Sequence, residues 1–165
     1  MKNLFLIRHA HAEKFSESNR DIDRKLTSEG MKVASLLGKY LSDEGVVPDV
    51  VICSPAERAQ MTAELVATQL GHSMNDIQVV DGLYAASVRE FVEYLTSLSQ
   101  KYQTVLVIGH NPAITYTADY LCETEINGMI PGSVVHISFA KKSWNELSSK
   151  ASGEFVNYYD VLTDH

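Results

Sequence analysis

The sequence predicts an α/β fold, a three-layer α/β/α sandwich with a mostly parallel central sheet and a C-terminal antiparallel edge hairpin. Three observations carry that expectation. Short apolar runs at 4–7, 50–53, 77–80 and 104–108 are each followed by a stretch of helical periodicity. The last third instead alternates apolar and polar residues at 133–139 and 154–159, the pattern of half-buried antiparallel strands. Strand, helix, strand, helix through two thirds of a chain is the order that builds parallel sheets. Right-handed crossovers then bring the carboxyl ends of the parallel strands to one edge, where open α/β sheets bind ligands.

With 165 residues and 45% hydrophobic content, the chain is expected to form a single domain over residues 1–165. Its formal net charge of −7 argues against a nucleic-acid binder, so any anion site must be a local cationic pocket. Cys53 and Cys122 are too few for a disulfide framework and sit in apolar surroundings, as buried reduced thiols do. The apolar run near the N-terminus is short of the roughly 7–15 residues of a secretory core. No stretch approaches the roughly 20 apolar residues of a membrane span. The expectation is a cytoplasmic protein with no membrane contact.

The first strand, Leu4-Phe5-Leu6-Ile7, delivers Arg8 and His9 to the sheet edge. A polar loop over 10–26 follows, long enough to suggest a function of its own. Thr27 is placed to cap the next helix, with Leu26 stapled onto Met31 and Val33, Ala34, Leu37, Tyr40 and Leu41 as the inward stripe. Gly45 and Pro48 end it. After the second strand, Ser54-Pro55-Ala56-Glu57 reads as a capping box with proline at the first helical position, which puts Arg58 in the first turn. Gly71 closes that helix. Ser87-Val88-Arg89-Glu90 is a second capping box, before a helix with Phe91, Val92, Leu95 and Leu98 inward. The fourth strand runs into Gly109-His110-Asn111-Pro112, with Asn111 as cap and Pro112 opening a helix that carries Ile114, Thr117, Ala118 and Leu121. The polar segment 141–153 is expected to be a surface loop or short helix. His72, His136 and His165 read as surface or satisfied histidines.

Arg8, His9, Arg58 and His110 thus fall on one side of the sheet. Two guanidinium forks, two imidazoles and nearby helix N-termini suit a small, strongly anionic group such as phosphate. Neutral imidazole can also accept a phosphoryl group and release it to water, and His9 is the candidate for that step. One of its ring nitrogens must then be fixed as a donor, leaving the other's lone pair for phosphorus. The pair His9 and His11 lacks a third ligand for a metal, so no metal is expected.

Arg8-His9-Ala10-His11-Ala12 resembles the Arg-His-Gly-x-(Thr/Ala) motif of the histidine phosphatase superfamily, also called phosphoglycerate-mutase-like. The run from Ser54 to Ala63 is similar to that family's S-P-x-x-R-A-x-x-T-A segment. Gly109-His110-Asn111 is similar to its second histidine, and the run from Arg24 to Gly30 to its R-P-L-T-x-x-G segment. The resemblance implies His9 as phosphorylated nucleophile, Arg8, Arg58 and His110 as phosphoryl-binding residues, and no cofactor. Losing Arg58 should cost about 3–4 kcal/mol of barrier. The motif departs from the family at Ala10, where glycine is usual, at His11, and at Lys25, which replaces a proline.

The connection 81–87 is short and carries Ala85-Ala86 where many relatives bear an acidic glutamate. That resembles the phosphohistidine phosphatase branch, whose substrates need less acid help and whose open sites admit a side chain of another protein. The implied partner is a phosphorylated protein, such as a histidine phosphotransfer or carrier domain in signal transduction, with inorganic phosphate as product. Arg24 and His11 are candidate substrate contacts. The alternatives are a small-molecule phosphomonoesterase and a non-catalytic phosphoprotein-binding module.

Overall fold

The computed structural model describes residues 1–140 and 143–163. One six-stranded sheet runs through it, built from β1 (Lys2–Arg8), β2 (Val50–Cys53), β3 (Ile77–Val79), β4 (Thr104–Gly109), β5 (Val134–Phe139) and β6 (Glu154–Tyr159). Their order across the sheet is β3-β2-β4-β1-β5-β6. The first four in that order are parallel; β5 is antiparallel to β1 and β6 to β5. The expected parallel core and C-terminal edge hairpin are both present.

Helices cover both faces. α1 (Ser28–Asp43) and α2 (Glu57–Leu70) pack on one, closing over Phe5, Ile7, Val51, Cys53, Leu106 and Ile108. α3 (Val88–Thr96) and α4 (Ala113–Cys122) close the other over Leu4, Leu6, Ile52, Val105 and Val107. Successive residues of a strand point to opposite faces, so a strand buried on both reads as an unbroken apolar run. That is why the short runs were legible. Both cysteines are free and buried, and burial pushes the Cys53 thiol up to about 12.

Several local expectations change. Thr27 does cap α1, accepting from the Gly30 N–H at 2.9 Å, but the expected Leu26–Met31 staple is replaced. Leu26 packs with Ala10, Ala34, Met61 and Leu65 while Met31 is exposed, because the loop turns Leu26 toward α2. The capping box at Ser54 is not used either: α2 begins at Glu57 with Ala56 as its cap residue, and the Ser54 hydroxyl meets the Ala56 N–H and His110 instead. Likewise α4 begins at Ala113, and the Asn111 side chain bonds the Met129 carbonyl and Thr115 instead of capping. The second capping box is real, with Ser87 accepting from the Glu90 N–H.

Segment 143–153 is less superficial than its polarity suggests. Trp144 and Leu147, in the 3-10 turn Trp144–Ser148, are fully buried against the α3/α4 face, and the indole N–H donates to the Tyr102 carbonyl at 2.9 Å. Residues 141, 142 and His165 lie outside the described residues. His136 is satisfied, stacking on Phe5 and bonding Asn3, whereas His72 leaves Nε2 buried and unpaired.

Candidate active site

Three adjacent parallel strands end at the same level. Arg8 closes β1 opposite Gly109 of β4, and Cys53 closes β2 opposite Ile108. The next residue on each chain therefore emerges at the sheet edge, and these are His9, Ser54 and His110. Backbone bonds lock the exits: the His9 N–H donates to the Gly109 carbonyl and the Ser54 N–H to the Ile108 carbonyl, both at 3.1 Å. The Gly132 N–H bonds the Arg8 and His9 carbonyls from the loop before β5.

His9 Nδ1 lies 2.7 Å from the Ala10 carbonyl oxygen. A carbonyl only accepts, so Nδ1 carries the proton and Nε2 keeps its lone pair. Arg58 Nε approaches that Nε2 at 3.4 Å. Burial first, then the charges of Arg58, Arg8 and Arg24, push His9 down to about 4, so the ring is neutral near pH 7. Ala10 is fully buried and is not among the residues with positive φ, which explains why a Cβ is accepted here. Its N–H donates to Thr62, one turn beyond Arg58 on α2, and Thr62 donates to the Arg58 carbonyl.

His110 stands beside His9, with ring centroids 5.1 Å apart. Burial, His9 and Arg58 push it down to about 3. Its Nε2 lies 2.7 Å from Ser54 Oγ, while Nδ1 is buried with no partner among the described residues. Arg8 donates from Nη1 to the Met129 carbonyl at 2.8 Å, and its Nε is likewise buried and unpaired. Native folds rarely leave buried donors orphaned. Arg8 Nε and His110 Nδ1 are two such unpartnered buried atoms among the described residues.

Arg58 is buried, and Asp21 takes one bond from each of its terminal nitrogens, Nη1 to the carbonyl at 2.8 Å and Nη2 to the carboxylate at 3.0 Å, so each keeps a second N–H. The same carboxylate accepts from the Tyr84 hydroxyl at 2.5 Å and pairs with Arg24 at 3.0 Å. Tyr84, then Arg58 and Arg24, hold Asp21 down to about 2. The Tyr84 ring meets His110 edge-on at 5.7 Å. Arg24 also donates to the Glu13 carbonyl, which places it at the rim of the pocket. His11 is exposed and its Nδ1 lies 3.2 Å from the Thr27 hydroxyl at the start of α1, so the structure does not bring it to the other site residues.

The structure thus gathers Arg8, His9, Arg58 and His110, sets Arg24 at the edge and leaves His11 outside. Asp21, Ser54 and the Met129 carbonyl are further parts of the site that sequence reading missed. Ser54 carried a signal, its place at the end of a buried strand, but that also suited a helix cap. Among the described residues no group of three His, Cys, Asp or Glu side chains is placed to hold a metal ion.

The sequence profile of the histidine phosphatase superfamily (branch 1) matches residues 4–86, half of the chain. The chain belongs to that superfamily and is a phosphatase, which goes against the binding-module alternative. It is similar to the phosphohistidine phosphatase SixA of Escherichia coli, 29% identical over 133 residues that cover 80% of this chain and 81% of the relative. The solved structure of a SixA candidate from Nakamurella multipartitia superposes with a TM-score of 0.83 at 28% identity, covering 97% of this chain and 96% of the other. The protein histidine phosphatase SixA complexed with tungstate superposes with a TM-score of 0.81 at 25% identity, covering 96% of each chain. No helix among the described residues is long and apolar enough to cross a membrane.

Proposed function

We propose that the chain removes phosphate from phosphohistidine on another protein, through a phosphorylated His9 and without a metal. The observation that carries this reading is the His9 ring itself, with Nδ1–H pinned to the Ala10 carbonyl and a neutral Nε2 lone pair beside Arg58. In the first step the phosphorus–nitrogen bond of the substrate breaks as a bond to His9 Nε2 forms. The departing imidazole takes a proton from solvent. Water then attacks phosphorus, the bond to Nε2 breaks, and inorganic phosphate leaves. Arg8, Arg58 and His110 bind the three equatorial oxygens on which transition-state charge accumulates. Arg24 would add a contact from the rim.

Two features support a protein-borne phosphoramidate. The connection between β3 and α3 holds only the 3-10 turn Asp81–Leu83, so no inserted element covers the pocket from that side. Asp21 is held ionised near neutral pH and cannot protonate a leaving group. A phosphoramidate tolerates that lack better than an ester does. Likeness to SixA, a phosphohistidine phosphatase by name, agrees with the same substrate class, and the tungstate in a similar solved structure, a tetrahedral oxyanion shaped like phosphate, agrees with a phosphoryl site.

The test compares phosphohistidine proteins with simple phosphate esters, in EDTA, and maps the trapped phosphoenzyme by mass spectrometry. Phosphate on His9 and faster turnover of the phosphohistidine protein are expected. Full activity in His9→Ala would overturn the mechanism. Faster turnover of small esters would move the assignment to a phosphomonoesterase.

A further inference from the structure

Ser54 is fully buried at the end of β2, and its hydroxyl has two polar neighbours. The Ala56 N–H reaches Oγ at 3.2 Å, and His110 Nε2 lies 2.7 Å away. An amide N–H can only donate, so the Ala56 contact occupies a lone pair of the hydroxyl oxygen. The hydroxyl proton then needs an acceptor, and His110 Nε2 is the one that the described residues provide. Nε2 must therefore accept. A neutral imidazole that accepts at Nε2 carries its proton on Nδ1, and that atom is the buried, unpartnered one.

We propose that Ser54 is a positioning residue that sets the tautomer of His110, so that Nδ1–H is offered to a phosphoryl oxygen. The reverse tautomer would put the proton between His110 and Ser54, leaving the serine hydroxyl without an acceptor and the Nδ1 lone pair turned on an anion. The first is a donor to developing charge; the second repels it. The proposal rests on the reading of His110 as a phosphoryl-binding residue. It adds the group that decides what His110 can do there. A helix-capping role for Ser54 would leave the tautomer of His110 untouched.

The experiment is ¹⁵N NMR of the histidine-labelled full chain at pH 7, with inorganic phosphate as the binding probe. In the wild type, His110 should show a protonated Nδ1 and an unprotonated Nε2. Ser54→Ala should shift the population toward Nε2–H and weaken phosphate binding by about tenfold, the scale of one hydrogen bond to a charged group. Ser54→Thr, which keeps the hydroxyl, should restore both. An Nε2–H tautomer in the wild type overturns the proposal without any variant having to fold. An unchanged tautomer and phosphate affinity in Ser54→Ala overturns it as well. Unchanged phosphate affinity in His110→Ala would instead remove the phosphate-binding role of His110, and the purpose of the tautomer with it.

Discussion

Arg8, His9, Ser54 and His110 leave the ends of three neighbouring strands, β1, β2 and β4, whereas His11, Asp21 and Arg24 come from the loop over 10–27. The strand-end half is held by the parallel ladder and by backbone bonds to Gly109, Ile108 and Gly132, so its geometry is fixed by the core. The loop half is closed at its neck by backbone bonds from Glu13 to Lys25 and from Thr27 to His11, and is tied across to the site by side chains, chiefly one carboxylate that joins Arg58, Arg24 and Tyr84. A site built this way separates two tasks. The strand ends place the atoms that react, and the loop orients the cations around them and meets the substrate.

If that division holds, substitutions in the strand-anchored half and at Arg58, the residue both halves share, should be the most damaging. Arg58→Ala should lower kcat/KM by about 10² to 10³-fold, on the scale of an oxyanion donor, with the folded state retained by circular dichroism. A loss smaller than tenfold would show that Asp21 already neutralises this arginine. Gly30→Ala tests the seam between the halves, because a Cβ there would sit 2.1 Å from the His11 carbonyl oxygen, which also accepts from the Thr27 N–H. Backbone must shift, so unfolding stability should fall by about 1–3 kcal/mol in denaturant titration.

Asp21→Ala should slow turnover by about tenfold, the scale of one charge-assisted hydrogen bond, since Arg58 loses its carboxylate anchor. His11→Ala should change kcat/KM by less than about twofold, as an exposed residue without a buried partner. Should His11 matter as much as Asp21, the loop would do more than the comparison allows.

Acid offers a probe of the strand half, with His136 contributing in the same direction because burial lowers it too. His9 and His110 are lowered to about 4 and about 3, below an ordinary histidine at 6.5. Between pH 6.5 and about 4 the unfolded chain binds protons that the folded chain refuses, so stability should fall as pH drops through that window. The ring-proton NMR shifts of His9 should titrate near 4 in the free protein. A midpoint near 6.5 would mean that the pocket is wetter and less cationic than its geometry indicates.

Much of this was readable from the chain because the same residues did two jobs. Apolar runs bounded by turn residues announced strands, and the polar residue directly after each run had to emerge at the edge. His9 and His110 were placed by that reasoning, with Arg8 beside His9, whereas Arg58 was placed in the first turn of α2 from a capping box that the structure does not use. Local cap patterns were less dependable. Ser54 and Asn111 both stand where a helix N-cap would, yet each has a partner distant in sequence, His110 and the Met129 carbonyl. Ser54 bonds a neighbouring strand end at 2.7 Å, and nothing near it in the sequence announces that partner.

The sequence by itself determined the element order, the parallel core and the four residues at its edge, because periodicity and burial are local properties of a chain. Only the tertiary structure decided which atom donates to which. It joined Asp21 to Arg58 across 37 positions and Ser54 to His110 across 56, and it left His11 outside the pocket. Hydrogen-bond partners distant in sequence depend on how the elements pack, and the state of each imidazole follows from those partners.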